Sequence, residues 1–131
     1  ARPELEYLIG KTECFVLHLK TLCAMMDGHA AYDAAFHAKR QRRWDEAVSR
    51  FGECESLFGE AVALAEATAR RMIACGDDPA ERHILFRYNV RFVLPVREFQ
   101  KYIRNIANYH RGRPYWETTD WTVIDPPWPP L

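Results

Sequence analysis

The chain has 131 residues, 48% apolar and 27% charged, with 18 basic and 18 acidic side chains that leave no net charge. That is the profile of a single globular domain with apolar material for one core, and it lacks the cationic excess through which proteins hold nucleic acid. No apolar run of about 18 residues spans a membrane, and Ala1 to Glu6 lacks the basic start and apolar middle of a signal peptide. The absence of an initiator Met is expected of a processed product or of a piece of something longer.

From Leu5 to about His37 apolar residues recur three, four or seven apart: Leu5, Leu8, Phe15, Leu19, Leu22, Met26 and Ala30. This spacing predicts a helix with those side chains turned to the core. Gly10 and Gly28 each weaken it by roughly 1 kcal/mol relative to Ala, and Asp27-Gly28 offers a break that would make two helices of one. Residues 38–43 lose the stripe and read as a polar connection.

Trp44 to Cys75 is the most regular element. Trp44, Ala47, Val48, Phe51, Cys54, Leu57, Phe58, Ala61, Ala65, Thr68 and Met72 form one stripe. Asp45 and Glu46 in the first turn and Arg70 and Arg71 in the last suit the helix dipole. Gly52 and Gly59, seven apart, leave room for a neighbouring backbone. Gly76 follows as a C-cap, and Asp77-Asp78-Pro79 supplies a cap and a first-turn Pro for the next helix. A short likeness of residues 44–51 to a tetratricopeptide helix is not followed by the 34-residue period such repeats need.

The third element runs from Pro79 to about Tyr109, with a stripe of Leu85, Tyr88, Phe92, Phe99, Tyr102, Ile103, Ile106 and Tyr109. Pro95 lacks an amide donor and must kink or break it. Phe51, Phe58 and Phe92, at the centres of the two stripes, are expected to be buried. After Arg111-Gly112-Arg113-Pro114 comes a tail with Pro at 126, 127, 129 and 130 and Trp at 116, 121 and 128. Such proline density excludes helix and central strand. So much aromatic surface predicts an extended strap, with Trp116 and Trp121 inserted between helices. Residues 44–75 carry a net charge of −3 and residues 77–113 of +4, so the two segments attract each other.

Residues able to carry chemistry are few. His29, Asp33 and His37 are spaced four apart and would stack on one helix face, a weak candidate zinc or iron site without a fourth ligand. The plainer reading is a solvated polar face, with no cofactor. No Glu is followed three residues later by His, which excludes a ferritin-type di-iron centre. Glu53, Glu55, Glu60 and Glu66 all ride one helix rather than facing each other across a cleft. Ser49 and Ser56 lie outside any nucleophile turn, and no Gly-rich phosphate loop occurs. Cys14, Cys23, Cys54 and Cys75 form no CxxC and read as small buried hydrophobes, leaving redox compartment open.

Residues 88–117, a Pro-bearing helix followed by His110-Arg-Gly-Arg-Pro-Tyr-Trp116, together with the Glu/Ala-rich helix before them, resemble the helical C-terminal modules of large bacterial glycoside-hydrolase-like proteins. The resemblance extends over residues 5–117 as an overall pattern and brings no catalytic motif. It implies an active site on another domain, a secreted or periplasmic setting, and a carbohydrate contact at Tyr115, Trp116 and Trp121. Anchoring of the tail is the competing role for those three aromatics. The expectation is therefore an all-α chain: an antiparallel bundle of three to four long helices over 1–113, and an extended Pro/Trp-rich strap over 114–131. Its expected function is that of a non-catalytic accessory module packing on a neighbouring domain or another protein, with no nucleic acid or membrane partner. The alternatives are a helical scaffold that takes a peptide or helix in a groove, and a small metal-binding protein.

Overall fold

The computed structural model describes residues 3–114 and 120–128, and among them there are helices and no strand. Helix α1 spans Pro3–Arg40, α2 Trp44–Ile73, α3 Pro79–Tyr88 and α4 Leu94–His110, with a π turn over Asn89–Val93 joining the last two. The expected boundary between α2 and α3 is present. Asp78 caps α3, its side chain accepting from the Glu81 amide at 2.9 Å, and Pro79 takes the first turn.

Helix α1 is unbroken at Gly28 and continues to Arg40, past the start of the expected connection. Its buried residues are the small ones: Gly10, Cys14, Thr21, Ala24, Gly28, Ala31, Ala35 and Ala38. They allow α1 to lie close against α2. Ala35 and Ala38 pack with Ala47 and Phe51, Ala31 with Cys54 and Phe58, and Ala24 with Ala61. A Cβ placed on Gly28 would stand 2.6 Å from the Phe58 ring. The expected inward stripe is thereby turned out. Leu5, Leu8, Phe15, Leu19, Met26 and Ala30 are exposed and Leu22 is half-buried, because helical spacing sets the small and the large residues on opposite sides.

Helix α2 contributes to all four core clusters, and its expected stripe is buried except at its edges, with Trp44 exposed. Gly52 and Gly59 meet the side chains of Arg111 and Gln100, not another backbone.

The stripe of the third element changes phase part-way. Leu85 and Tyr88 are buried as expected, but Phe92 is only half-buried, Tyr102 and Tyr109 are exposed, and Val93, Val96, Ile103 and Ala107 fill the core. The π turn accounts for this. The Leu94 amide bonds back to the Asn89 carbonyl, five residues earlier, which adds one residue to the turn and advances the inward face. Pro95, with no amide to give, follows at once as a first-turn residue of α4. The helix thus absorbs its proline without breaking.

The two glycine environments predict opposite responses to the same substitution. Gly28→Ala should lower stability by about 1–3 kcal/mol, because the buried Phe58 ring cannot yield. Gly59→Ala finds only Gln100 Nε2 at 3.5 Å, so it should raise stability by up to ~1 kcal/mol through helix propensity alone. Denaturant melts of both variants check this, and a Gly28→Ala chain as stable as the parent would mean that α1 and α2 do not approach so closely.

Candidate functional site

The small-residue contact leaves the other side of α1 uncovered. Leu8 and Phe15 are each 62% exposed and Met26 is 70% exposed, with Leu5, Ile9, Val16 and Leu19 open beside them. Among the described elements only α2 packs against the α1 backbone. On one flank, α1 touches α3 through side chains. The Tyr7 hydroxyl donates to Glu81 at 2.7 Å, Lys11 pairs with the same carboxylate, and His18 Nδ1 lies 3.0 Å from the Tyr88 hydroxyl. On the other flank, Val16, Leu19, Cys23 and Leu64, together with the charged Lys20, Asp27 and Glu60, line a shallow groove of about 610 Å³ between α1 and α2. The result is a long apolar ridge beside a trough.

A second concavity of about 300 Å³ lies where the end of α1 meets α4, among Phe36, Lys39, Tyr102, Ile106, Tyr109 and His110. Asn105 lines it too, and its buried Oδ1 has no hydrogen-bond partner among the described residues.

The tail residues 120–128 are held by two polar side chains. Asn89 acts as a bidentate clasp on Ile124, its Oδ1 accepting from the amide and its Nδ2 donating to the carbonyl, both at 2.9 Å. Arg97 donates to Glu66 at 3.0 Å and to the carbonyls of Asp120 and Thr122. Ile124 and Trp128 then pack on the cluster of Ala65, Ala69, Leu85 and Val93, with the Arg82 guanidinium 5.0 Å from the Trp128 ring centre. A proline-rich segment has no sheet to join, so side chains satisfy its backbone instead. Trp121, expected between the helices, is 63% exposed; Trp128 holds the inward place. Tyr115 and Trp116 lie outside the described residues.

The candidate metal ligands share α1; Asp33 is exposed, and the two histidines have separate partners. His29 sets its ring 5.3 Å from those of Phe58 and Phe99, and His37 stands 3.2 Å from the Gln41 amide nitrogen. Among the described residues no group of three or more His, Cys, Asp or Glu converges as a metal site. All four cysteines are free. Cys14 and Cys54 are buried as expected and Cys75 is half-buried, whereas Cys23 is exposed in the groove. Burial, reinforced by Glu53 and Glu55, pushes the Cys54 thiol up to about 12. Burial and then the neighbouring Cys75 raise Cys14. Both thiols therefore stay protonated at neutral pH, in the unreactive form.

Glu46, Glu53, Glu55 and Glu66 of α2 are engaged in ion pairs. Glu55 meets Arg104 and Arg111, and Glu66 meets Arg70 and Arg97, joining the two segments of opposite net charge. No family model matches the chain, and neither a curated protein nor a solved structure is similar to it.

The exposed ridge was hidden in the sequence by its own regularity. A signal was nevertheless present: α1 carries a second stripe of Gly, Ala, Cys and Thr opposite the large one. Asn89 and Arg97 gave no comparable signal, since their partners lie 23 to 35 residues away.

Two outcomes follow from these contacts. Burial against Tyr88 and Phe92 holds the His18 imidazole below its ordinary 6.5. As pH falls the unfolded chain takes the proton first, so stability complete above about pH 6.5 declines below it. His18→Gln should remove that part of the acid sensitivity, and identical pH–stability curves for the two chains would contradict the assignment. Asn89→Ala should cost about 1–3 kcal/mol and expose Trp121 to faster chymotryptic cleavage. An unchanged cleavage rate would show that Asn89 does not hold the tail.

Proposed function

We propose that this chain is a non-catalytic helical interaction module of a larger assembly, built as three antiparallel rods with the C-terminal segment strapped across α3 and α4. The outer face of α1 carries the reading: a row of large apolar side chains, on a helix already fixed by its other side, that nothing among the described elements covers. Contiguous apolar surface of this extent marks a docking site in a water-soluble chain. Its occupant is another apolar helix face, since a straight ridge flanked by a trough takes an elongated and equally apolar element.

A parent of the glycoside-hydrolase-like kind that residues 88–117 resemble is compatible with this role and would place catalysis elsewhere. The ion-paired Glu55 and Glu66 and the protonated thiols of Cys14 and Cys54 support a non-catalytic role. A helical scaffold with a ligand groove is the second reading, favoured by the aromatic cleft between α1 and α4.

The test is a single charge on the ridge. At a dilution at which the chain is monomeric, Phe15→Glu should abolish binding of an apolar-surface dye such as ANS while leaving the helical circular dichroism and the melting temperature within a few degrees of the parent. Dye binding that survives the substitution would reject the ridge as the docking surface. Retained dye binding that instead falls on Tyr102→Glu would favour the cleft.

A further inference from the structure

We propose that the outer face of α1 is the seam of a two-fold symmetric, antiparallel dimer of this chain. This rests on the reading of that face as a docking surface and names its occupant as a second copy.

The spacing of the face is that of a helix made to pair with a helix. Leu5, Leu8, Thr12, Phe15, Leu19, Leu22 and Met26 follow one another three and four apart without interruption, the a/d repeat through which two helices interlock. Ile9, Val16 and Cys23 run beside them and widen the stripe. Asp27 ends it. Thr12, the one polar member, donates its hydroxyl to the Leu8 carbonyl at 2.8 Å, so it can be covered without leaving an unpaired donor.

The same residues fit a second copy when the helices run in opposite directions about an axis at the height of Leu17. Leu8 then lies level with Met26 of the second copy, Thr12 with Leu22, and Phe15 with Leu19. Every layer is apolar or self-satisfied, and each contact occurs twice, as an isologous interface requires. Antiparallel packing also opposes the dipoles of two 38-residue helices, which a parallel pair would align.

The area is also sufficient. Leu5, Leu8, Ile9, Phe15, Val16, Leu19 and Met26 are 43–70% exposed. At about 100 Å² of open surface on each, the ridge offers on the order of 700 Å² per copy, near the ~800 Å² a standard interface takes from each partner.

Cys23 makes the alignment readable. In the antiparallel dimer the two Cys23 residues are separated by about 18 Å along the helix axis, and Ile9 of the other copy, on the same edge of the seam, lies within about 3 Å of the height of each. Sedimentation equilibrium of the full chain should give twice its 15.3 kDa mass, and Phe15→Glu should raise the dissociation constant by about 30-fold or more. Under copper–phenanthroline oxidation the parent chain should form no Cys23–Cys23 link. The Ile9→Cys chain should link through its introduced thiol to Cys23 of the second copy, identified by peptide mass spectrometry. A parent chain that stays monomeric at hundreds of micromolar overturns the dimer. A Cys23–Cys23 link overturns the antiparallel alignment. If the chain is monomeric but Phe15→Glu still abolishes dye binding, the ridge remains a docking surface and only the second copy is rejected; if dye binding is also unaffected, both readings fall.

Discussion

The close approach of α1 to α2 governs most of what this molecule presents to its surroundings. Glycine and alanine on α1 let the Phe51 and Phe58 rings of α2 lie almost on its backbone, and Gly28 has no space for even one more carbon. Dispersion between the two helices is gained over their whole shared length, because small side chains bring many atoms within contact distance. Once α1 has committed its small side inward, helical geometry leaves its large side chains no direction but outward. The ridge of Leu8, Phe15, Leu19 and Met26 is thus a consequence of the core rather than an addition to it. Leu8, Phe15 and Met26, each more than 60% exposed, contribute little to the core, so changes there cost the fold little.

Helix α2 occupies the centre and meets α1 on one side and α3–α4 on the other. The second contact differs in character from the first. It combines larger side chains, Val93, Val96 and Ile103, with ion pairs between Glu55 or Glu66 of α2 and arginines of α4. Arg97 is the most enclosed of these, only 8% exposed, and it holds Glu66 and two tail carbonyls together. A buried guanidinium is tolerated only when its donors are spent on charged or carbonyl oxygens, and here both kinds are supplied. The position of the tail is therefore coupled to the α2–α4 contact. Asn89, at the start of the π turn, adds a second anchor directly above the turn that Pro95 follows.

These couplings separate the molecule into a fixed side and an available one. Residues 120–128 strap α3 and α4, filling the surface near Leu85 and Val93 that would otherwise be open. The outer face of α1 receives no such cover among the described residues. The chain thus seals its apolar surface on one side and leaves a heptad-spaced apolar row open on the other.

The sequence by itself determined that the chain is helical, where α2 ends and α3 begins, that Phe51 and Phe58 are buried, and that the acidic and basic segments attract. Each of these depends on residues near in sequence or on a single strong stripe. Tertiary structure alone decided which side of α1 faces inward. Both its stripes repeat at helical spacing, and size favours the large one, but shape complementarity to the aromatic rings of α2 selects the small one. It also decided that Pro95 shifts the phase of α3–α4 through a π turn instead of breaking the helix, which exchanges Phe92, Tyr102 and Tyr109 for Val93, Val96 and Ala107 in the core. And it decided that Trp128, not Trp121, turns inward, because Asn89 and Arg97 fix the tail backbone through contacts no local pattern encodes. Periodicity identifies a helix and its possible faces; only the surface it meets determines which of those faces is buried.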